Sequence, residues 1–107
     1  MAHYIQVVTT TETKAEAQTI ASATVEERLA ACAQIIGPIT STYWWQGKIE
    51  TAEDWLCVLK SKETLYEELE RAIQKLHPYK EPEILAISIA KGKKTYLDWL
   101  DENVRKP

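Results

Sequence analysis

The chain has no phenylalanine, although it carries four tryptophans and five tyrosines. It has no apolar run long enough to span a bilayer, which argues against a membrane helix. Neither sign of charge dominates. The net charge is only -3, so the basic face that non-specific nucleic-acid binding requires is missing. Cysteine is scarce: Cys32 and Cys57 are the only two, and no C-x-x-C pair exists. That disfavours the heavy-metal chaperone type of small α+β domain. The first residues, MAHYIQVV, lack the charged start and apolar stretch of a signal peptide. A cytoplasmic location is the expectation, and with it two free thiols rather than a disulfide. There is no internal repeat and no low-complexity segment.

What is present suffices for one domain spanning residues 1–107. The apolar fraction of 45% is that of an ordinary globular protein with a core. Residues 4–10, YIQVVTT, are β-branched and apolar and read as a buried strand. Thr13 and Glu16 have the spacing of a capping box, which satisfies the first free N–H groups of a helix. Ala17, Ile20, Ala21, Val25 and Leu29 then recur at helical spacing, which predicts a helix over about 14–31.

Residues 32–45 read as extended, with Ile35, Ile39, Tyr43 and Trp45 on one side by parity. Gly37 and Pro38 predict a bend or bulge, and Gln46-Gly47 a tight hairpin turn. The returning strand runs to about residue 60, with Trp55, Cys57 and Leu59 facing one way and Leu56 and Val58 the other. The acidic run TAED, 51–54, is expected as a solvated bulge that blunts an edge. Thr64 and Glu67 suggest a second capping box, and Leu65, Leu69, Ala72, Ile73 and Leu76 a helical stripe behind it. Pro78 ends that helix near Leu76, because proline has no N–H and disfavours helical geometry at His77. Residues 83–90 read as a strand that Gly92 breaks. A last helix over about 94–104 is expected to bury Tyr96, Leu97, Leu100 and Trp99.

The order is βαββαβ plus one helix, the pattern of a ferredoxin-like α+β sandwich with helices on one face of an antiparallel sheet. The other sheet face also carries large apolar residues. A lone chain would expose a contiguous apolar patch, which soluble monomers rarely do. Self-association through the sheet and the long hairpin is the expectation; the alternative is that the last helix covers the face alone.

Several stretches take on meaning together: ERLAACAQI (27–35), STYWWQGKIE (41–50), VLKSKE (58–63), HPYKEPEIL (77–85) and YLDWL (96–100). In order and spacing they resemble the divalent-cation tolerance family, CutA, over nearly the whole chain. The resemblance implies a homotrimer, similar in assembly to the PII nitrogen regulators, in which long hairpin strands pair between subunits. It also implies a role in tolerance to metals, copper first among them. Where the family carries an acidic or amide residue after HPY, this chain has Lys80. Where copper-binding members have a first-strand cysteine or a second histidine, it has Thr9 and Leu76.

The candidate metal ligands are His77 and Cys32, an imidazole and a soft thiolate suited to Cu²⁺ or another divalent ion. The competing readings are a helix-terminus residue for His77 and a small buried hydrophobe for Cys32. Lys60, Tyr79, Glu83 and Glu53 are candidates to line a cleft between subunits, with a Glu83–Lys60 surface ion pair as the bland reading. Trp44, Trp45, Tyr43 and Trp55 are candidate interface residues. Trp44, Trp45 and Trp99 would also serve a stacking platform for bases, but the acidic balance of the chain and the absence of an RNA-recognition signature count against it. No organic cofactor, nucleic acid or membrane partner is expected. Nor is catalysis. A ferredoxin-like acylphosphatase needs an arginine in an anion-cradling loop after the first strand, and residues 9–12 here are TTTE.

Overall fold

The computed structural model describes residues 3–106. Four strands and three helices alternate along it: β1 (Tyr4–Thr11), α1 (Lys14–Glu26), β2 (Cys32–Trp45), β3 (Lys48–Lys62), α2 (Tyr66–Leu76), β4 (Ile84–Ser88) and α3 (Lys94–Glu102). The strands form one antiparallel sheet in the order β2-β3-β1-β4. This is the expected ferredoxin-like α+β arrangement with an added C-terminal helix.

One sheet face meets α1 and α2. There Ile5 and Val7 of β1, Cys57 and Leu59 of β3, Ala17 and Ile20 of α1, and Leu69 and Ile73 of α2 make the main core. Period-2 alternation in the strands and the apolar stripe of each helix supply these residues. A smaller core of Leu65, Leu100 and Val104, with Tyr4 and Ala31 against it, anchors α3. Salt bridges fasten the same region: Lys62 Nζ lies 2.6 Å from Asp101 Oδ1, and Arg105 pairs with Glu68.

The Thr13–Glu16 capping box forms as expected. Thr13 Oγ1 accepts from Glu16 N–H at 3.2 Å, and Glu16 Oε1 accepts from Thr13 N–H at 3.1 Å. The helix behind it ends at Glu26, five residues before the expected Ala31. Arg28 turns to φ 59°, and the N–H groups of Leu29 and Ala30 fold back onto the Thr24 carbonyl. Leu29 therefore enters the core from a turn instead of a helix face.

The second expected capping box does not form. A 3₁₀ turn at Glu63–Leu65 precedes α2, and extended Lys62 occupies the position before it, so Thr64 lies inside the turn where its hydroxyl cannot cap. The strand read over 83–90 is the shorter Ile84–Ser88. In α3 only Leu100 is fully buried, while Tyr96 and Trp99 stay about 40% exposed.

The β2–β3 hairpin extends the molecule to 44 Å along its longest axis. Its turn is the two residues Gln46 and Gly47, at φ 50° and 79°, between paired Trp45 and Lys48. Positive φ at both central positions suits the right-handed twist of the strands. The bulge sits on β2, between Ile36 and Ile39, and not in TAED, whose residues pair regularly with Ser41, Thr42, Thr40 and Ile39. Gly37 is needed there because Trp55 lies against it: a Cβ at position 37 would stand 2.5 Å from Trp55 Cε3.

The bulge also corrects the parity reading. Ile35 pairs with Cys57 and faces the helices, whereas Ile39 pairs with Asp54, Tyr43 with Glu50 and Trp45 with Lys48, all on the opposite face. Simple alternation fails across an inserted residue.

Candidate functional site

The 77–83 segment begins where α2 stops. His77 is extended, at φ -76° and ψ 134°, as its place before Pro78 requires. This turns the imidazole onto the end of β1. Its Nδ1 accepts the Tyr79 N–H at 3.1 Å, so the ring proton belongs to Nε2, which donates to the Thr10 carbonyl at 2.7 Å. The side chain is 7% exposed, and its ring centroid lies 4.7 Å from that of Tyr79. Both nitrogens are thus engaged in fixing the loop to the sheet. Burial first, then the carboxylates of Asp54, Glu12 and Glu16, push the Tyr79 hydroxyl above its ordinary range.

Cys32 lies elsewhere. It opens β2 opposite Lys60, which in turn pairs with Gln6. Gln6 and Thr10 are four residues apart on β1, about 13 Å at the rise of a strand. His77 and Cys32 therefore stand at two ends of the sheet. Among the described residues no three His, Cys, Asp or Glu side chains converge in a way that would hold a metal ion. The residues of a single chain do not fit a metal centre built on these two side chains.

The four expected cleft residues are also dispersed within one chain. Tyr79 and Glu83 lie in the loop that leads into β4, beside the end of β1. Glu53 is on the hairpin opposite Thr40. Lys60 points its ammonium over the Tyr96 ring, 5.7 Å from the centroid, and makes no ion pair with Glu83.

The hairpin residues fall into two groups. Trp44 is 72% exposed, Trp45 59% and Tyr43 44%. Trp55 is different: it packs half-buried against the main core, with Lys14 Nζ 5.7 Å from its ring centroid. Four more apolar side chains lie open: Ile36, Ile49, Leu85 and Ile87, each more than half exposed. Strand parity pointed to Leu85 and Ile87. Ile36 and Ile49 were legible only once the bulge and the turn fixed the register. With Val8 and Val58, Ile36, Leu85 and Ile87 form the apolar surface of the sheet face that α1 and α2 leave open. The helix α3 meets one end of that face, at Tyr4, Lys60 and Lys62, and leaves the rest uncovered.

The second opening lies on the helix side. A groove of about 420 Å³ runs between β4 and the start of α2, lined by Ile5, Glu63, Tyr66, Glu67, Ala86 and Ser88. None of these residues stands out in the sequence; on the helix side of β4, Ile84 packs against the main core, and the smaller Ala86 and Ser88 line the groove.

Comparison with known proteins agrees with this architecture. The family described as CutA1 divalent ion tolerance protein matches residues 5–103. The divalent-cation tolerance protein CutA of Thermus thermophilus is 44% identical over 97 residues, 91% of this chain and 94% of that one. The solved structure of Cut A1 from Thermus thermophilus superimposes with a TM-score of 0.93 at 42% identity, covering 95% of this chain and 99% of that one. CutA1 from Oryza sativa gives a TM-score of 0.95 at 34% identity, over 98% and 96% of the two chains. A CutA from Archaeoglobus fulgidus, described as periplasmic, gives 0.90 at 38% identity, over 98% and 100%. With a family match over residues 5–103 and a relative 44% identical over most of both chains, the chain belongs to the CutA1 divalent ion tolerance protein family.

Proposed function

We propose that the protein works as a homotrimer in the response to divalent metal ions, binding copper or another divalent cation, and that it is not an enzyme. The observation that carries the assembly is the pair of apolar surfaces a single chain leaves in water: the open sheet face and the hairpin with Trp44, Trp45, Tyr43 and Ile49. Burial of each such side chain is worth about 1.5–3 kcal/mol. The metal role rests on family membership. Since His77 and Cys32 do not converge within one chain, a bound cation needs donors from more than one subunit.

A second reading is a PII-like signalling or structural trimer that takes a small ligand or a partner's segment in the cleft between subunits. The engagement of both His77 ring nitrogens favours it. Ligation through His77 would have to break either the bond to Thr10 or that to Tyr79.

Native mass spectrometry separates the readings. The full chain is measured before and after one equivalent of Cu²⁺ per subunit, then with EDTA, alongside Cys32→Ala and His77→Ala. The first reading expects a trimer with an integral, chelator-sensitive copper count that falls in the variants. A trimer with only ragged copper uptake, or with equal uptake in both variants, moves the assignment to the ligand-binding reading. A monomer overturns both.

A further inference from the structure

The start of α3 carries charge and aromatic surface that the metal and ligand readings leave unused. The loop after β4 is tied to the sheet where the Ile89 N–H donates to the Tyr4 carbonyl at 3.0 Å. It then folds against the helix it leads into: a Cβ on Gly92 would stand 3.0 Å from Leu97 Cδ2. This close packing holds Lys91 and Lys93 at the helix start, and both are exposed. Lys93 is extended, at φ -64° and ψ 127°, and no side chain caps the first turn. The first N–H groups of a helix lack intrahelical acceptors and form its positive end.

Beyond Lys93 the helix sets Tyr96 and Trp99 on one side, at successive steps of three residues. Their rings stack with centroids 5.5 Å apart, and about 40% of each residue stays exposed. Lys60 of β3 brings its Nζ to 5.7 Å from the Tyr96 ring centroid. Two carboxylates of α3 are already matched: Asp98 with Lys94 at 2.9 Å and Asp101 with Lys62 at 2.6 Å. Among the described residues Lys60, Lys91 and Lys93 make no ion pair. The result is a stacked aromatic pair bordered by unneutralised ammonium groups, in a chain whose net charge is -3.

We propose that this surface docks an acidic segment of a partner protein, with its carboxylates on Lys60 and Lys93 and an apolar side chain on the Tyr96–Trp99 pair. The inference needs only one chain and rests on neither reading of the subunit cleft.

Charge complementarity selects the occupant. A lysine over an aromatic ring is held only weakly at an exposed site. A carboxylate that reaches Lys60 leaves it beside the ring and adds an ion pair. Lys93 and the free N–H groups behind it attract a second carboxylate to the helix start. Between them the two rings offer the apolar contact, the part that aromatic anchors supply in protein interfaces. The charges around them set which partner approaches and in which orientation. A nucleic acid is the poorer match, because it needs a basic track across many phosphates. Along α3 the basic surface stops at Asp98 and Glu102, both exposed, which a run of phosphates would meet.

The test uses the full chain, labelled with nitrogen-15. The probe is the peptide acetyl-EELPEE-amide, with acetyl-QQLPQQ-amide as its uncharged match. Each is titrated at pH 7 in 50 mM NaCl, and backbone amide and indole resonances are followed by NMR. The acidic peptide is expected to give saturable shifts over residues 91–99 and at the Trp99 indole N–H, and the uncharged one none. Raising NaCl to 200 mM should weaken binding about fivefold, as screening shortens the reach of the charges. The pair Lys91→Gln and Lys93→Gln should weaken it at least fivefold, and so should Lys60→Gln, in proteins whose circular dichroism matches the parent's. If Lys60→Gln disturbs the fold, the loop pair carries the test alone, since both of its side chains are exposed. No response over 91–99 up to 5 mM acidic peptide overturns the proposal, as does an equal response to the uncharged peptide. Tighter binding of an eight-nucleotide oligothymidylate at the same amides overturns it in favour of nucleic acid. Light scattering on the same samples reads the assembly separately, so failure of the docking patch is distinguishable from failure of the homotrimer.

Discussion

His77 shows how one residue carries two kinds of information. Its type suggests a ligand, and the sequence around it suggests a helix end. The structure assigns the ring to packing, with the Thr10 carbonyl on one nitrogen and the Tyr79 N–H on the other. Neither partner is predictable from HPYKEPEIL, because Thr10 is 67 residues away. The two cysteines divide in a similar way. Cys32 is half-buried at the start of β2, whereas Cys57 is fully buried in the main core, with burial pushing its thiol up to about 11. At pH 8 a thiol of ordinary acidity is about one quarter thiolate, while one near 11 is about one part in a thousand. Iodoacetamide at pH 8 should therefore label Cys57 at least a hundredfold more slowly in the native protein than in urea. Peptide mass spectrometry over a time course reads this directly, and equal rates would show that the core at Cys57 opens readily.

At the scale of elements, α3 is the piece held most by electrostatics. A hydrogen bond from Lys62 and then its charge hold the Asp101 carboxyl below its ordinary range. A carboxyl lowered on folding stabilises the native state at pH above its unfolded value, about 3.9. The contribution is lost as pH falls through the lower folded value. Asp101→Asn should thus lower the urea midpoint at pH 7 and leave little difference from the parent at pH 2.5, in circular-dichroism titrations at both pH values. A midpoint gap that persists at pH 2.5 would assign the effect to packing around Leu100. The same scale shows what was legible beforehand. All four strands and three helices were readable from periodicity, the capping box and the proline stops. The two helix starts looked alike as T-x-x-E, yet only Thr13 caps, because at the other place a 3₁₀ turn begins one residue earlier. The early end of α1 was hidden because Leu29 keeps helical spacing while sitting in a turn.

For the whole molecule, the decisive feature is the face that helices α1 and α2 leave open. Strand parity alone revealed it, since Leu85 and Ile87 alternate with Ile84 and Ala86. Parity misplaced Ile35 relative to Tyr43 and Trp45, because the bulge at Gly37 and Pro38 inserts one residue. The groove beside β4 was not legible at all, as it depends on how far α2 reaches across the sheet. If the open face is an interface, its apolar residues support assembly and contribute little to the fold of one chain. Leu85 and Ile87 are 55% and 51% exposed in the chain itself. Changing both to Ser removes surface that only a partner would bury, at about 25 cal/mol per Å² of apolar area lost from the interface. The doubly substituted protein should be monomeric in light scattering while keeping the far-ultraviolet circular dichroism of the parent. In the parent, the unfolding midpoint should rise with protein concentration, as mass action requires of an oligomer whose chains unfold on dissociation. In the variant that dependence should vanish. A substituted protein that stays trimeric would mean that the hairpin alone holds the subunits together. One that unfolds outright would mean that this face cannot remain in water, so that folding and assembly are a single event.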